Sequence, residues 1–283
     1  MRTTLSGRDK QAVIDTLGAV AVIGESINPT GRKKLAEALV ERNFDYVLEL
    51  ARRQAAGMAD ILEVNVGVPG VDEVALLPAV AKVVAEEAGL PLCIDSADPN
   101  AIEAALRVVP GKSLVNSVNG EERSLRAVLP LVKEFDAAVI GLTMDEKGIP
   151  ATAEARLAIA AKICDRAVGQ GIPAEDVIID PLVLTVGAED SAASVTLRTI
   201  ELVRRELGVS VNVGASNVSF GLPDRPIINQ AFLAMAIHAG ANCLITDPTK
   251  VMATVRASDL LLGRDPHAGR FIAHFRSRAS ASG

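Results

Sequence analysis

Apolar runs of five to eight residues recur along the chain, separated by longer stretches whose apolar positions fall three and four apart. The runs are AVAVIG (19–24), DILEVNVG (60–67), LPLCID (90–95) and SLVNS (113–117), then AAVIGLT (137–143), DVIIDPL (176–182), VSVNVG (209–214) and NCLIT (242–246). Continuous apolar character, in place of strict alternation, predicts strands buried on both faces. The intervening NAIEAALRVV, SLRAVLPLVKEF, TAEARLAIAAKICDRAV and SVTLRTIELVRREL read as amphipathic helices. Helix starts are supplied by Asp98-Pro99, by Thr152 ahead of Glu154 and by Asp247-Pro248, with Asp145 a further candidate cap.

Eight strands, each followed by helix, are the count of an α/β (β/α)8 barrel. The competing fold, a doubly wound open sheet, wants a glycine-rich phosphate turn after an early strand, and GESINPTG does not have the GxGxxG spacing. No linker divides the 283 residues, so a single barrel domain over 1–283 is expected, with 1–18 an N-terminal extension and SRASASG (277–283) a frayed tail.

Composition sharpens this in two ways. With 49% hydrophobic but only 2% aromatic residues and no Trp, the core must be aliphatic. A net charge of −6 speaks against a nucleic-acid footprint. MRTTLSGRDKQ lacks the apolar segment of a secretory signal, and no apolar run nears the ~20 residues that span a bilayer, so a cytoplasmic protein away from the membrane is expected. Cys93, Cys164 and Cys243 stand apart, and His238, His267 and His274 make no ligand pattern, so neither disulfides nor a metal site is expected.

Barrel chemistry is built where strands end. Those ends and the loops after them carry Glu25, Asn65, Asp95, Asn116, Asp145, Asp180, Asn217 and Asp247. No Lys ends a strand to form a Schiff base, and no Ser–His pairing suggests a nucleophilic hydrolase. Asp98, Asp145 and Asp247 suit helix caps, and Asn65 and Glu25 could serve their loops. Asp95, Asn116 and Asp180 close apolar strands and so face the barrel mouth. A ring of carboxylates and carboxamides suits a flat heterocycle rich in N–H groups, such as a pterin, better than a phosphate.

The ordered segments GESINPTG, EVNVG, CIDS, VNSVNGE, IDPL and GASNVSFG resemble those of the pterin-binding methyltransferases. That family includes methyltetrahydrofolate:corrinoid/iron–sulfur protein methyltransferase and the folate module of cobalamin-dependent methionine synthase. The resemblance, over about residues 20 to 275, implies a homodimeric pterin-binding barrel of the dihydropteroate-synthase-like type. It implies methyl transfer between N5 of tetrahydrofolate and the cobalt of a corrinoid, with methyltetrahydrofolate or tetrahydrofolate as substrate. Asp95, Asn116 and Asp180 then correspond to residues that hydrogen-bond the pterin, and Asn217 to the carboxamide beside N5. Gly214 and Arg225 match further ligand-lining positions, with Glu25, Asn65 and Ser216 as possible additions. The chain departs from the family in having Ser26 where Arg is usual and Glu63 where Asp is usual; SNVSF, ending at Phe220, follows the methionine-synthase form. DPHAGR around His267 only partly matches a cobalt-ligand motif and reads as a surface turn, so the corrinoid is expected on a separate partner protein. The rival functions are a dihydropteroate synthase and a non-catalytic pterin-binding subunit. The synthase would need basic residues near the seventh and eighth strand ends.

Overall fold

The computed structural model describes residues 1–281. Its ten strands are β1 (Arg2–Ser6), β2 (Gln11–Asp15), β3 (Ala21–Ile27), β4 (Ile61–Val64) and β5 (Leu92–Asp95), then β6 (Leu114–Asn119), β7 (Ala138–Leu142), β8 (Val177–Asp180), β9 (Ser210–Gly214) and β10 (Cys243–Thr246). The helices begin with α1 (Lys33–Val40), α2 (Asp45–Ala56), α3 (Glu73–Ala88), α4 (Pro99–Leu106) and α5 (Glu122–Glu134). They continue with α6 (Ala153–Gly169), α7 (Ala192–Glu206), α8 (Arg225–Ala239), α9 (Pro248–Leu261) and α10 (Gly269–Ala281). Strands β3 to β10 pair in parallel and in sequence, and β10 closes on β3. The eight-stranded barrel expected from the apolar runs is therefore the fold, with its core of Val, Ile, Leu and Ala filling the space between strands and helices.

Side chains on a strand alternate between the two faces, so residues two apart share the barrel interior. Ile23, Ile61, Cys93, Leu114, Ile140, Ile178 and Cys243 fill its lower part. Two residues further along come Glu25, Glu63, Asp95, Asn116, Leu142, Asp180 and Ile245, which makes the upper layer polar on five of seven strands. The change from apolar plug to polar mouth is thus written in single strands.

The first eighteen residues are more than an extension. β1 and β2 form an antiparallel hairpin whose Leu5, Ala12 and Ile14 join the lower interior cluster. Each fully buried Leu or Ile contributes roughly 1.5–3 kcal/mol. The hairpin docks on the loops before β5 and β6: Asp9 and Lys10 N–H donate to the Gly89 carbonyl, and Ser6 N–H to that of Lys112. At Gly111, with φ +81°, a Cβ would run into the Ser6 backbone, so only glycine fits under the hairpin.

Asp98, Thr152 and Asp247 cap α4, α6 and α9 with their side chains, as expected. Asp145 does not cap a helix; it accepts from Lys147 N–H at 2.9 Å within a tight turn closed by Gly148. The DPHAGR segment is a turn at the head of α10, where Asp265 accepts from Arg270 and Phe271 N–H and His267 is exposed. Residues 277 to 281, assigned to a frayed tail, continue α10, and 282 and 283 lie outside the described residues. The three cysteines are buried and unpaired. Among the described residues no helix is long and apolar enough to cross a membrane.

Candidate functional site

Three of the expected residues stand on adjacent parts of one wall. Asp95 on β5 is the register partner of Asn116 on β6, and Asp180 on β8 pairs with Leu142 on β7. Beneath and beside them lies a second set of polar side chains. Asn116 Nδ2 donates to Glu63 Oε1 at 3.1 Å, Asn65 Nδ2 to Asp95 Oδ2 at 3.0 Å, and Asn212 Nδ2 to Asp180 Oδ2 at 2.6 Å. Leu182 N–H donates to Asp180 Oδ1 at 2.8 Å, and Gly67 N–H to Asn65 Oδ1 at 2.8 Å.

This pairing fixes what the wall can recognise. A carboxylate only accepts, so each facing amide must turn its NH2 toward it. One N–H of each amide is thereby used internally; Asp95 Oδ1 and Asn116 Oδ1 accept from no described residue, and each Asp180 oxygen, already accepting once, keeps a second lone pair for a ligand. The wall is an acceptor surface, complementary to the N–H edge of an amino-pyrimidinone.

Burial raises the carboxyls of this wall above their ordinary range. Asp95 and Asp180 are each pushed up to about 6, chiefly by loss of water. Glu63, 2% exposed, is held well above the usual carboxylate range, first by burial and then by the nearby charge of Asp95. A ligand that donates hydrogen bonds relieves this desolvation.

Asp180 has a brace that strand patterning does not reveal. Arg156 of α6, only 2% exposed, donates to the carbonyls of Pro150 (2.9 Å), Pro181 (2.8 Å) and Leu182 (2.9 Å). It pins the turn that leaves β8, where Leu182 adopts φ +60°, and its charge faces Asp180.

Beside the Asp180 strand the GASNVSFG loop leaves β9, which pairs with β8 and β10. Ser216 Oγ donates to Glu25 Oε1 at 3.2 Å, and burial raises the Glu25 carboxyl despite that bond. Glu25 is aimed by an irregularity in β3: the register with β4 shifts between Gly24 and Ile27, and Gln54 Oε1 accepts the Ser26 N–H at 2.7 Å. Ser26 itself is fully buried. A Cβ on Gly24 would lie 2.5 Å from that Gln54 oxygen, so the small residue makes room for the brace.

Arg225, expected to line a ligand, also holds the loop. Its Nη2 donates to the Ser216 carbonyl at 2.8 Å and its Nε to Ser219 Oγ at 3.1 Å, while Ser219 Oγ donates to Asn229 Oδ1 at 2.6 Å. The guanidinium lies 5.9 Å from the Phe220 ring centre. Asn217, between these two anchor points, is exposed. Its amide nitrogen turns back over Gly214, 3.7 Å from where a Cβ there would stand, and no side chain or backbone group among the described residues bonds it. It is the one carboxamide of the expected set left free.

Two cavities open at this end. A cleft of about 820 Å³ is lined by Asp95, Ser117, Asn119 and Leu142, and a smaller one of about 390 Å³ by Glu25, Arg32, Ser216, Arg225 and Lys250. Among the described residues no three His, Cys, Asp or Glu side chains converge as metal ligands. The sequence reading missed Asn212, Arg156 and Gln54 as site supports and treated Glu63 only as a departure. Asn212 and Glu63 could have been found from the two-residue period, since each lies on the inward face of its strand.

The sequence model of the pterin-binding enzyme family matches residues 24–247, and the chain belongs to that family. It is 30% identical over 263 residues to a methylcorrinoid:tetrahydrofolate methyltransferase of Eubacterium limosum, covering 90% of this chain and 96% of that one. It is 33% identical over 248 residues to methionine synthase of Mycobacterium tuberculosis (strain ATCC 25618 / H37Rv), covering 83% of this chain but 21% of that longer protein. Among solved structures, a dihydropteroate synthase of Xanthomonas albilineans superposes with a TM-score of 0.70 at 20% identity, covering 94% of this chain and all of that one (100%). At that identity the likeness shows the fold alone.

Proposed function

We propose that this chain is a methyltransferase that moves a methyl group between N5 of tetrahydrofolate and the cobalt of a corrinoid carried by a separate protein. The observation that carries the reading is the acceptor wall of Asp95, Asn116 and Asp180 at the same barrel mouth as the loop of Asn217, whose carboxamide is bonded by no described residue. The wall suits the N–H edge of a pterin, and a free amide suits the atom whose protonation changes. The two methyltransferase relatives support the same chemistry.

In this reading Asp95, Asn116 and Asp180 hold the ring, with Gly214 leaving space for it and Glu25, Asn65, Ser216 and Arg225 shaping the mouth. The corrinoid supplies cobalt(I) as nucleophile or methylcobalt as donor. As the C–N bond breaks, its electron pair returns to N5, which takes up a proton; the reverse transfer removes that proton. A side-chain amide can donate to bare N5 or accept from N5–H, so Asn217 serves both directions. The partner is proposed, from the family resemblance, to be a corrinoid protein meeting the barrel mouth. A homodimer is proposed from the family resemblance and from exposed Ile227 and Met235 on α8, and a cytoplasmic setting goes with it.

The test is to mix the protein with methyltetrahydrofolate and a reduced corrinoid and follow the cobalt spectrum. Protein-dependent conversion of cobalt(I) to methylcobalt, or of methylcobalt to cobalt(I) when tetrahydrofolate is supplied with the methylated corrinoid, supports the reading. Condensation of a pterin diphosphate with an aryl amine, without methyl transfer, would replace it with the synthase.

A further inference from the structure

We propose that the cavity between β3, β9 and β10 is a second subsite that takes the carboxylates at the far end of the substrate's side chain. This rests on the folate reading above and extends it beyond the pterin ring.

The cavity, about 390 Å³, adjoins the mouth through Glu25 and Ser216, which are hydrogen-bonded to each other at 3.2 Å. Its remaining charged lining is Arg32, Arg225, Lys250 and Asp247. These cations were not legible as a group. Arg32 comes from the loop after β3, Arg225 from the start of α8 and Lys250 from the first turn of α9, so only the closed barrel brings them together.

Their partners decide which are available. Arg225 is committed to the Ser216 carbonyl and Ser219. Asp247 is spoken for by the start of α9, accepting from Thr249 N–H at 3.1 Å and its hydroxyl at 2.7 Å, and Lys250 lies 3.3 Å from it. Glu25 is shielded from water, which disfavours its charged form. Arg32 is partly buried; its charge is felt by Glu25, but among the described residues no group lies within hydrogen-bond or ion-pair distance of its guanidinium. The cavity therefore holds an excess of positive charge in a chain whose net charge is −6. An unpaired guanidinium with a neighbouring ammonium is a receptor for carboxylate, and the planar fork of Arg32 can bind one through two parallel N–H···O bonds. Folates carry such carboxylates on a benzoylglutamate arm attached next to N5, and the cavity begins beside the loop that bears Asn217.

The experiment compares two ligands by calorimetry: tetrahydrofolate, and a tetrahydropterin that lacks the benzoylglutamate arm. The parent protein should bind the full folate more tightly, and Arg32→Gln combined with Lys250→Gln should weaken folate binding roughly tenfold. The same double variant should bind the arm-less pterin as the parent does, and the folate advantage should shrink as salt is raised. Equal affinity of parent and double variant for tetrahydrofolate would overturn the subsite, as would an equal loss for both ligands. Failure of the parent to bind the arm-less pterin at all would remove the pterin reading itself, a separate result from loss of the arm's contribution alone.

Discussion

The Asn212 amide nitrogen lies 2.6 Å from Asp180 Oδ2, within the barrel and wholly shielded from solvent. Asn212 sits in the middle of an apolar strand, and the price of burying its amide is offset by one short bond to a carboxylate. The bond also opposes the effect of burial on Asp180, which has already reached about 6.

Replacing Asn212 with Leu should therefore raise the Asp180 carboxyl further. If the charged carboxylate is what grips the pterin's N–H edge, affinity is lost as pH falls through the Asp180 value. The acid limb of the binding curve should then move to higher pH in Asn212→Leu, with affinity at pH 7 falling severalfold, or about 1 kcal/mol. Pterin binding measured from pH 5 to 8 checks this. A uniform loss at every pH would make Asn212 a packing residue only.

The Asp180 value also has a consequence for folding. Its folded value, about 6, lies above the ordinary 3.8. A carboxyl raised in this way stabilises the fold below pH 4 and loses that contribution as pH rises through 6. The loss is on the order of 3 kcal/mol. Asp180→Asn cannot ionise, so its stability should fall less between pH 4 and 7.5, and at neutral pH it should gain on the parent while binding pterin more weakly. Urea denaturation of both proteins across that range is the measurement. Parallel curves would show that Asp180 ionises at the same pH folded and unfolded, so that burial does not raise it.

The barrel and most of the wall were readable because parallel strands buried on both faces announce themselves as apolar runs, and a polar residue ending such a run must sit at the mouth. Asp95, Asn116 and Asp180 all follow that logic. The hairpin was missed because RTTLS and QAVID are short and half polar; only the alternation of Thr3 with Leu5 and of Ala12 with Ile14 marks their buried face. Asn212 and Glu63 were masked by apolar neighbours. Arg156 and Gln54 act from helices far along the chain, a relation set by tertiary packing that no local pattern carries.

Arg156 offers a direct test of that packing. Arg156→Met removes three bonds to backbone carbonyls, one of them buried, and a positive charge that acts on Asp180. It should destabilise the protein by about 3–5 kcal/mol. Arg156→Lys keeps the charge but cannot reach all three oxygens, and should recover only part of the loss. Thermal unfolding decides: a Met variant within about 1 kcal/mol of the parent would show that the β8 turn holds itself.

Asn217 separates catalysis from binding. Asn65, Asn116 and Asn212 each give one amide N–H to a carboxylate, whereas no described residue accepts from the amide of Asn217, on a loop clamped on both sides by Arg225. A clamped loop with one free amide is preorganised for an atom that the ligand brings. If that atom is N5, the amide acts most as charge changes there, and Asn217→Ala should slow methyl transfer about 100-fold or more. Folate affinity should fall by much less, because Asp95, Asn116 and Asp180 still hold the ring. Stability should scarcely change, since the deleted group is exposed and bonds no described residue. Single-turnover transfer, with folate affinity and unfolding measured on the same preparation, gives all three numbers. A near-parental transfer rate would make Asn217 a loop residue with no part in the transfer step.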